Sequence, residues 1–274
     1  MKPTMRGTMA LTMILASAWS ARAMADTTND VVVLPAAPRE VKTEVPILAY
    51  TYQASGVSAG SVGAQAYGLG SGASGGVGYE GQKRGIVGGG VTVWGSPFER
   101  LTLIGDAPRD VTGNFAPSAA VVVRLFGNAS DGFSMGLLGK FKVEGFGVGK
   151  NDEIESEIEG GVLLGYSKYR WHFDLNAVTG FGTGDDGEID GEARLRIGAD
   201  VSHLVRVGID GQARYRMAGA TTLIGGRAGD FQGGPQVMLG SGHFYGAVTA
   251  GPATTNIYSG IGWGAFVALG GTTL

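Results

Sequence analysis

Apolar and polar residues alternate with a period of two along the second half of the chain. Between residues 169 and 181 one face is apolar and the other polar: Tyr169, Trp171, Phe173, Leu175 and Ala177 oppose Arg170, His172, Asp174 and Asn176. The same alternation recurs over 133–145, 154–166, 188–201 and 204–217. Successive side chains of a β-strand point to opposite faces, so the pattern predicts strands that each have one apolar face.

Glycine-rich turns separate the segments and predict about twelve strands. We place these strands at 60–70, 84–94, 97–105, 114–127, 132–146, 154–166, 169–182, 188–201, 204–217, 230–240, 243–250 and 256–270. Glycine hides the alternation in the first three strands, and residues 47–54 are a candidate for a further one. The predicted number therefore ranges from 10 to 14.

Tight turns predict the register, because paired residues on either side of a turn have numbers of constant sum. A turn at Ser202–Leu204 makes every charged pair complementary: Asp200 with Arg206, Arg196 with Asp210, Glu192 with Arg214, and Asp190 with Arg216, beside Arg194 with Gln212. A turn at Ser167 and Lys168 pairs Tyr166 with Tyr169. Lys140 and Lys142 are expected to face the acidic series Glu155, Glu157 and Glu159.

The length of the strands favours a membrane barrel over a soluble sandwich. Strands of ten to fourteen residues cross the hydrocarbon layer when tilted, whereas strands of soluble sheets average five or six. We therefore predict an all-β, transmembrane, antiparallel up-and-down β-barrel over residues 59–274. An even number of strands places both barrel ends on the periplasmic side, with short turns there and longer loops outside.

Composition agrees with this fold and excludes other classes. The 274 residues include 51 Gly and no Cys, which argues against an ordinary helical protein and against a disulfide framework or thiolate metal cluster. The net charge of −3 offers no footprint for nucleic acid. Residues 1–25 have the anatomy of a secretory signal peptide: Lys2 and Arg6, an apolar run, and Ala23-Met24-Ala25. Residues 26–58 then read as a flexible periplasmic extension.

The chain resembles Gram-negative outer-membrane β-barrel proteins at the level of the class. The signal sequence, the amphipathic strands and the aromatic residues at strand ends carry the resemblance; these aromatics are Trp94, Phe98, Tyr166, Tyr169, Trp171, Phe244 and Tyr245. The last strand departs from the class in ending at Leu274 rather than at an aromatic residue. The resemblance implies the cell outer membrane as location. It implies outer-membrane lipids, lipopolysaccharide and the barrel-insertion machinery as partners.

Charged residues on the polar face are the candidate lining of a pore. They are Lys140, Lys142, Glu155, Glu157, Glu159, Arg170, His172, Asp174, Asp190, Glu192, Arg194, Arg196, Asp210, Arg214 and Arg216. Inward glycines are expected to leave the opposite wall nearly bare: Gly88, Gly90, Gly246, Gly260, Gly262 and Gly264. A porin-like passive channel for small solutes follows from this asymmetry, and the slight excess of inward acids over inward bases predicts a weak cation preference. The alternative is a non-conducting structural or surface-recognition barrel, filled by the charged network, the leader or a loop.

Catalytic and cofactor motifs are weak. Three His are present, and the predicted topology sets none of them beside a Ser and an acid, so an outer-membrane hydrolase ranks below both barrel hypotheses and no enzymatic activity is expected. The match to GxGxxG at 70–75 has no following helix pattern. Residues 186–191 resemble the start of a calcium loop, but Ile197 replaces its closing Glu. We expect no cofactor and no resident metal.

Overall fold

Fourteen strands lie in the part of the chain that the computed structural model describes, which comprises residues 45–73, 87–110, 115–127, 132–144, 155–183, 189–218, 229–241, 243–254 and 262–273. They are β1 (Ile47–Leu48), β2 (Thr51–Tyr52), β3 (Val62–Ala73), β4 (Val87–Phe98), β5 (Leu101–Asp110), β6 (Ser118–Phe126), β7 (Gly132–Glu144), β8 (Glu155–Lys168), β9 (Trp171–Gly182), β10 (Ile189–Asp200), β11 (Val205–Ala218), β12 (Gly229–Ser241), β13 (Phe244–Thr254) and β14 (Gly262–Thr272). The described residues include no helix long and apolar enough to span a membrane.

Strands β3 to β14 form one closed barrel, which confirms the predicted fold and the number of twelve. Each strand pairs antiparallel with its neighbour in the chain, and β14 closes the sheet on β3 with Thr272 opposite Gly63. Strands β1 and β2 form a separate two-stranded sheet. Residues 47–54 therefore supply no barrel strand.

The register predicted for β10 and β11 is confirmed pair by pair. Asp200 opposes Arg206, Arg196 opposes Asp210, and Glu192 opposes Arg214. Lys140 opposes Glu159 and Lys142 opposes Glu157 between β7 and β8. A slip by one residue would bring charged side chains to the apolar face, so both faces of these strands select the same pairing.

The register predicted for β8 and β9 is wrong. Tyr166 opposes Phe173 rather than Tyr169, because residues 169–170 form the turn and Lys168 pairs with Trp171. Tyr169 takes a positive φ of 56° at this turn, a conformation that strands do not adopt. Arg170 consequently lies in the turn and not in the barrel wall. Similarly, β4 continues through the predicted turn at 95–97 and ends at Phe98.

The outer surface carries two belts of exposed aromatic rings. One belt lies at the end with the short connections 99–100, 127–131, 169–170, 201–204 and 242–243, and we call this the short-turn end; its rings are Phe98, Phe126, Phe133, Tyr169, Trp171 and Phe244. The other belt comprises Phe141, Phe181, Tyr215, Phe231 and Trp263. Ten residues separate Trp171 from Phe181 along β9, which spans about 25 Å for a strand tilted by about 40°. That height matches the apolar band of a membrane barrel.

Two of the strand-end aromatic residues that carry the resemblance to outer-membrane barrels face inward, not towards the outer surface. Trp94 is 3% exposed and Tyr245 is 4% exposed, and both side chains lie inside the barrel. Trp94 opposes Gly63 in the sheet, where a side chain would collide with the indole ring. Alternation places them there, since Val93 and Phe244 take the outward positions beside them.

An arginine on the outer face tests the contact with hydrocarbon. Leu195 is an outward residue of β10 midway between the two belts, and Val201 lies in the turn after the same strand. We expect Leu195→Arg to lower the free energy of unfolding by about 2–4 kcal/mol and Val201→Arg by about 0–1 kcal/mol, because the cost of a cation falls towards the membrane interface. Denaturant unfolding in lipid vesicles measures both. Equal losses at the two sites would contradict a lipid-facing surface.

Candidate functional site

The candidate site is the barrel lumen, whose wall on β7 to β11 carries a network of ion pairs. Towards the end opposite the short turns, Lys140 Nζ lies 2.6 Å from Glu159 Oε1 and Lys142 Nζ lies 2.8 Å from Glu157 Oε2. Arg194 contacts Glu159 and Glu192, and Arg214 contacts Glu157, Asp190 and Glu192. Acids and bases of β7, β8, β10 and β11 thus pair with one another along the wall.

Two further charged groups lie nearer the short-turn end. Arg196 donates from Nε and Nη2 to Asp174 Oδ2, at 3.1 and 2.6 Å, and both side chains are buried. His172 Nε2 lies 2.7 Å from Asp200 Oδ2, and Arg206 Nε donates to Asp200 Oδ1 at 2.7 Å. These contacts join β9, β10 and β11 inside the barrel.

Most of the predicted lining residues do face the lumen. Those described with inward side chains are Lys140, Lys142, Glu157, Glu159, His172, Asp174, Asp190, Glu192, Arg194, Arg196, Asp210 and Arg214. Glu155 and Arg216 occupy inward register positions, opposite Glu144 and Asp190. Arg170, in the turn, is the exception. Residues 186–188 of the calcium-like segment and 74–75 of the glycine motif lie outside the described residues, as do 1–44.

The N-terminal segment 45–57 lies inside the barrel, contrary to the flexible extension expected for it, whereas residues 58–60 are exposed. Strands β1 and β2 form a hairpin in this segment, which we call the lumenal hairpin, with Ile47 opposite Tyr52 and Leu48 opposite Thr51. Ala54, Val57 and Thr51 are all buried. The Gln53 N–H donates to the Pro46 carbonyl at 2.8 Å, so the chain returns on itself after the tip at 49–50.

Three wall residues hold the tip of the hairpin. Asn176 Oδ1 accepts the Tyr52 N–H at 2.7 Å, and Asn176 Nδ2 donates to the Tyr52 carbonyl at 2.9 Å. The Thr51 hydroxyl donates to Asp210 Oδ1 at 2.6 Å. The Arg194 guanidinium lies 5.2 Å from the centroid of the Tyr52 ring.

Tyr50 completes the tip on the far side. Its N–H donates to Asp210 Oδ2 at 3.4 Å, and its ring lies 6.4 Å from that of Phe266 on β14. Burial, and secondarily the Asp210 carboxylate, raise the pKa of the Tyr50 hydroxyl. The phenol therefore enters the lumen uncharged.

Glycines in the wall make room for the base of the hairpin. A Cβ at Gly136 would lie 2.9 Å from the Ala54 carbonyl oxygen, and one at Gly165 would lie 3.2 Å from the Ala54 Cβ. The Val57 N–H donates to Thr102 Oγ1 at 3.2 Å on the facing wall. A side chain at Gly136 would therefore press on the hairpin backbone, and one at Gly165 would crowd both Ser134 and Ala54.

The wall expected to be bare is filled by polar and aromatic groups. Gly246 faces outward, and Gly260 lies outside the described residues. Gly90 and Gly264 do face inward, but the Tyr67 hydroxyl and the Gln232 amide occupy the space above them. Tyr67 stacks on Phe266 at 5.6 Å and donates to Asp106 Oδ1 at 3.1 Å. The space above Gly90 and Gly264 is thus taken by neighbouring side chains.

Every barrel strand contributes an inward residue that is at most 4% exposed. In chain order they are Gln65, Thr92, Thr102, Val122, Leu138, Leu163, Asn176, Arg196, Asp210, Gln236, Thr249 and Phe266. The wall alone does not cover them, since Asn176, Asp210 and Thr102 contact the lumenal hairpin. The hairpin and the inward side chains together therefore bury these residues.

Comparisons with known proteins identify the fold. No family model matches the sequence, and no curated protein matches it. The chain is similar to the crystal structure of the COG4313 outer membrane channel from Pseudomonas putida F1, with a TM-score of 0.51 and 11% identity over 84% of this chain and 100% of that one.

Two further solved structures have lower scores. The KdgM porin in complex with disordered oligogalacturonate matches with a TM-score of 0.49 and 8% identity, over 77% of this chain and 98% of that one. The translocator domain of the autotransporter NalP from Neisseria meningitidis matches at 0.47 and 14%, over 78% and 88%. The first similarity, together with the closed barrel, shows that this chain has the fold of an outer-membrane β-barrel.

Proposed function

We propose that this chain is an outer-membrane channel for the passive diffusion of small solutes, and that its lumenal hairpin closes it. The main support is the way the lumen is filled: a segment held by hydrogen bonds to the wall lies inside the barrel. The similarity to a protein described as an outer membrane channel agrees with this reading. Residues 1–25, which have the pattern of a signal peptide, would direct export.

The dimensions of the barrel suit small solutes. Twelve strands spaced about 4.8 Å apart and tilted by about 40° give a backbone diameter of roughly 24 Å. Opposed side chains of medium size leave about 10–12 Å of this width. Without the hairpin, a hydrated ion or a small metabolite would fit.

The open lumen should prefer cations weakly. Most charges of the wall are paired, but Asp210 is held by neutral donors, namely Thr51, the Tyr50 N–H and Gln236. Asp106 is likewise held by the hydroxyls of Tyr67 and Thr92. Arg196, opposite Asp210 in the sheet, offsets part of this negative charge, so the attraction for cations is weak.

Reversal of one charge in the wall tests conduction through this lumen. The hairpin is first freed by Thr51→Val combined with Tyr52→Pro, which we call the release variant. In planar bilayers the release variant should give discrete current steps, and its reversal potential in a salt gradient should indicate cation selectivity. Adding Glu157→Lys should shift the reversal potential towards anion selectivity. Glu157 lies between Lys142 and Arg214, so the new lysine leaves three cations together. Glu99→Lys, in the turn outside the strands, is the control. If Glu157→Lys leaves the reversal potential of the current steps unchanged, the current does not pass through the barrel lumen.

The alternative is a non-conducting structural or surface-recognition barrel. The buried inward residues on every barrel strand favour it, because a barrel that stays filled does not conduct. The release variant would then give no current in bilayers, although its heat-dependent gel mobility shows that the barrel is folded. That result would decide for this alternative.

A further inference from the structure

We propose that the lumen wall carries a peptide-binding site, formed by Asn176, Arg194 and Asp210, and that the lumenal hairpin occupies it as an internal ligand. The site would take an extended peptide in which a hydroxyl residue precedes an aromatic one. The proposal rests on the proposed function in one respect: the hairpin must be able to leave the lumen.

Asn176 supplies the recognition of a peptide backbone. Its side-chain amide accepts the N–H and donates to the carbonyl of the same residue, Tyr52, at 2.7 and 2.9 Å. This pair of bonds reproduces the pairing of one strand residue with its neighbour. An amide that is fully buried and satisfied by both groups of one residue matches the donor and the acceptor of a peptide unit.

Arg194 and Asp210 bind the groups next to this backbone contact. Arg194 covers the aromatic ring of Tyr52, and Asp210 accepts the hydroxyl of Thr51 and the N–H of Tyr50. Three consecutive residues of the hairpin are thus bound by three neighbouring strands, β9, β10 and β11. An aromatic ring is a favourable partner for a guanidinium in a buried site.

Other wall residues hold these groups in place. Glu159 lies 3.4 Å from Arg194 Nη2, and Glu192 also contacts that guanidinium. Gln236 Nε2 donates to Asp210 Oδ2 at 3.1 Å. The guanidinium and the carboxylate are therefore oriented by the barrel itself, so a separate peptide would meet a formed site.

The test is binding of a synthetic peptide of residues 45–58, carrying a fluorescent label, to the full-length release variant in detergent micelles. Anisotropy should show saturable binding to the release variant and at least about tenfold weaker binding to the unmodified chain, whose site is occupied. Adding Asn176→Leu should weaken binding to the release variant at least about tenfold, because two buried hydrogen bonds are lost. Gln212→Leu, an inward change on β11 opposite Arg194, is the matched control and should leave binding unchanged.

A peptide carrying Thr51→Val and Tyr52→Pro should not bind. Equal binding to the release variant and the unmodified chain, or binding that survives Asn176→Leu, would overturn the site. Bilayer recordings of the same proteins separate the two proposals. A folded release variant that binds the peptide but gives no current overturns the channel alone, whereas one that conducts without binding the peptide overturns the site alone.

A reversible lock replaces the release variant if that variant does not fold. A Cβ at Gly56 would lie 3.6 Å from the Thr102 Cβ, a separation that a disulfide spans, and the chain has no other Cys. Oxidation of the Gly56→Cys/Thr102→Cys chain should abolish peptide binding, and reduction should return it to the weak level of the unmodified chain, in which the hairpin competes for the site. Binding that does not depend on the redox state of the lock would overturn the site.

Discussion

The release variant, Thr51→Val with Tyr52→Pro, is expected to raise the open probability of the channel by at least about tenfold. The first change removes the hydroxyl that donates to Asp210, and the second removes both the N–H that donates to Asn176 and the ring beneath Arg194. Two buried hydrogen bonds and a cation–π contact together contribute about 2–4 kcal/mol. Each 1.4 kcal/mol shifts the equilibrium between closed and open states tenfold. Single-channel recording in planar bilayers measures this change.

The disulfide lock supplies the opposite change. The oxidised Gly56→Cys/Thr102→Cys chain should stay closed, and a reducing agent should restore the openings of the unmodified chain. Gly56 has a φ of +63°, so the cysteine there costs about 1 kcal/mol in backbone strain, which the barrel tolerates because the residue lies outside its strands. A locked chain that still conducts would show that solutes pass the hairpin without displacing it.

Asp174→Asn is expected to lower the free energy of unfolding by about 3–5 kcal/mol. Arg196 is 3% exposed and donates to Asp174 through both Nε and Nη2. Removing the carboxylate charge leaves the buried guanidinium without its ion-pair partner, which costs far more than an intact pair contributes. Urea unfolding of the barrel in micelles, followed by tryptophan fluorescence, measures the loss.

Replacing both members of that pair provides the control. Asp174→Leu combined with Arg196→Met fills similar volume without a buried charge, and we expect it to recover most of the stability. If the double replacement is as unstable as Asp174→Asn, the loss comes from the packing of β9 against β10 and not from an orphaned charge.

The architecture of the barrel could be predicted from the residues because two independent patterns agree on β10 and β11. One register makes Asp200–Arg206 and Glu192–Arg214 complementary inside, while Ile197 meets Ile209 outside. Long-range pairing of this kind is visible in a sequence whenever charges alternate with apolar residues over many positions. Strands β3 and β4 lack such charges, and their limits were predicted only to within a few residues.

The failure at β8 and β9 has a local cause. A turn at 167–168 satisfies the apolar pattern as well as the observed turn at 169–170, since both keep Tyr166 and Phe173 on the outer face. Alternation fixes the face of a residue but not its partner. The choice depends on Tyr169, whose left-handed conformation no propensity favours.

The contents of the lumen could not be predicted from alternation. Inward polar residues are compatible with water, with one another or with an inserted segment. The lumenal hairpin belongs to a stretch of the chain that has little periodicity and contains three prolines, Pro35, Pro38 and Pro46. One signal was present in Tyr50-Thr51-Tyr52, since aromatic and β-branched residues are enriched in strands. Their partners Asn176 and Asp210 lie more than a hundred residues away, and the sequence does not link them.

The seam between β3 and β14 constrains how the molecule is assembled. It joins the first barrel strand to the last, and the lumenal hairpin immediately precedes β3. The lumen that holds the hairpin is thus closed only when residues 262–272 have been synthesised and have paired with 63–73. The hairpin must settle on β9, β10 and β11 while the sheet is still an open trough, or else thread through the finished mouth. In the first of these routes, formation of the barrel and its closure by the hairpin are a single event.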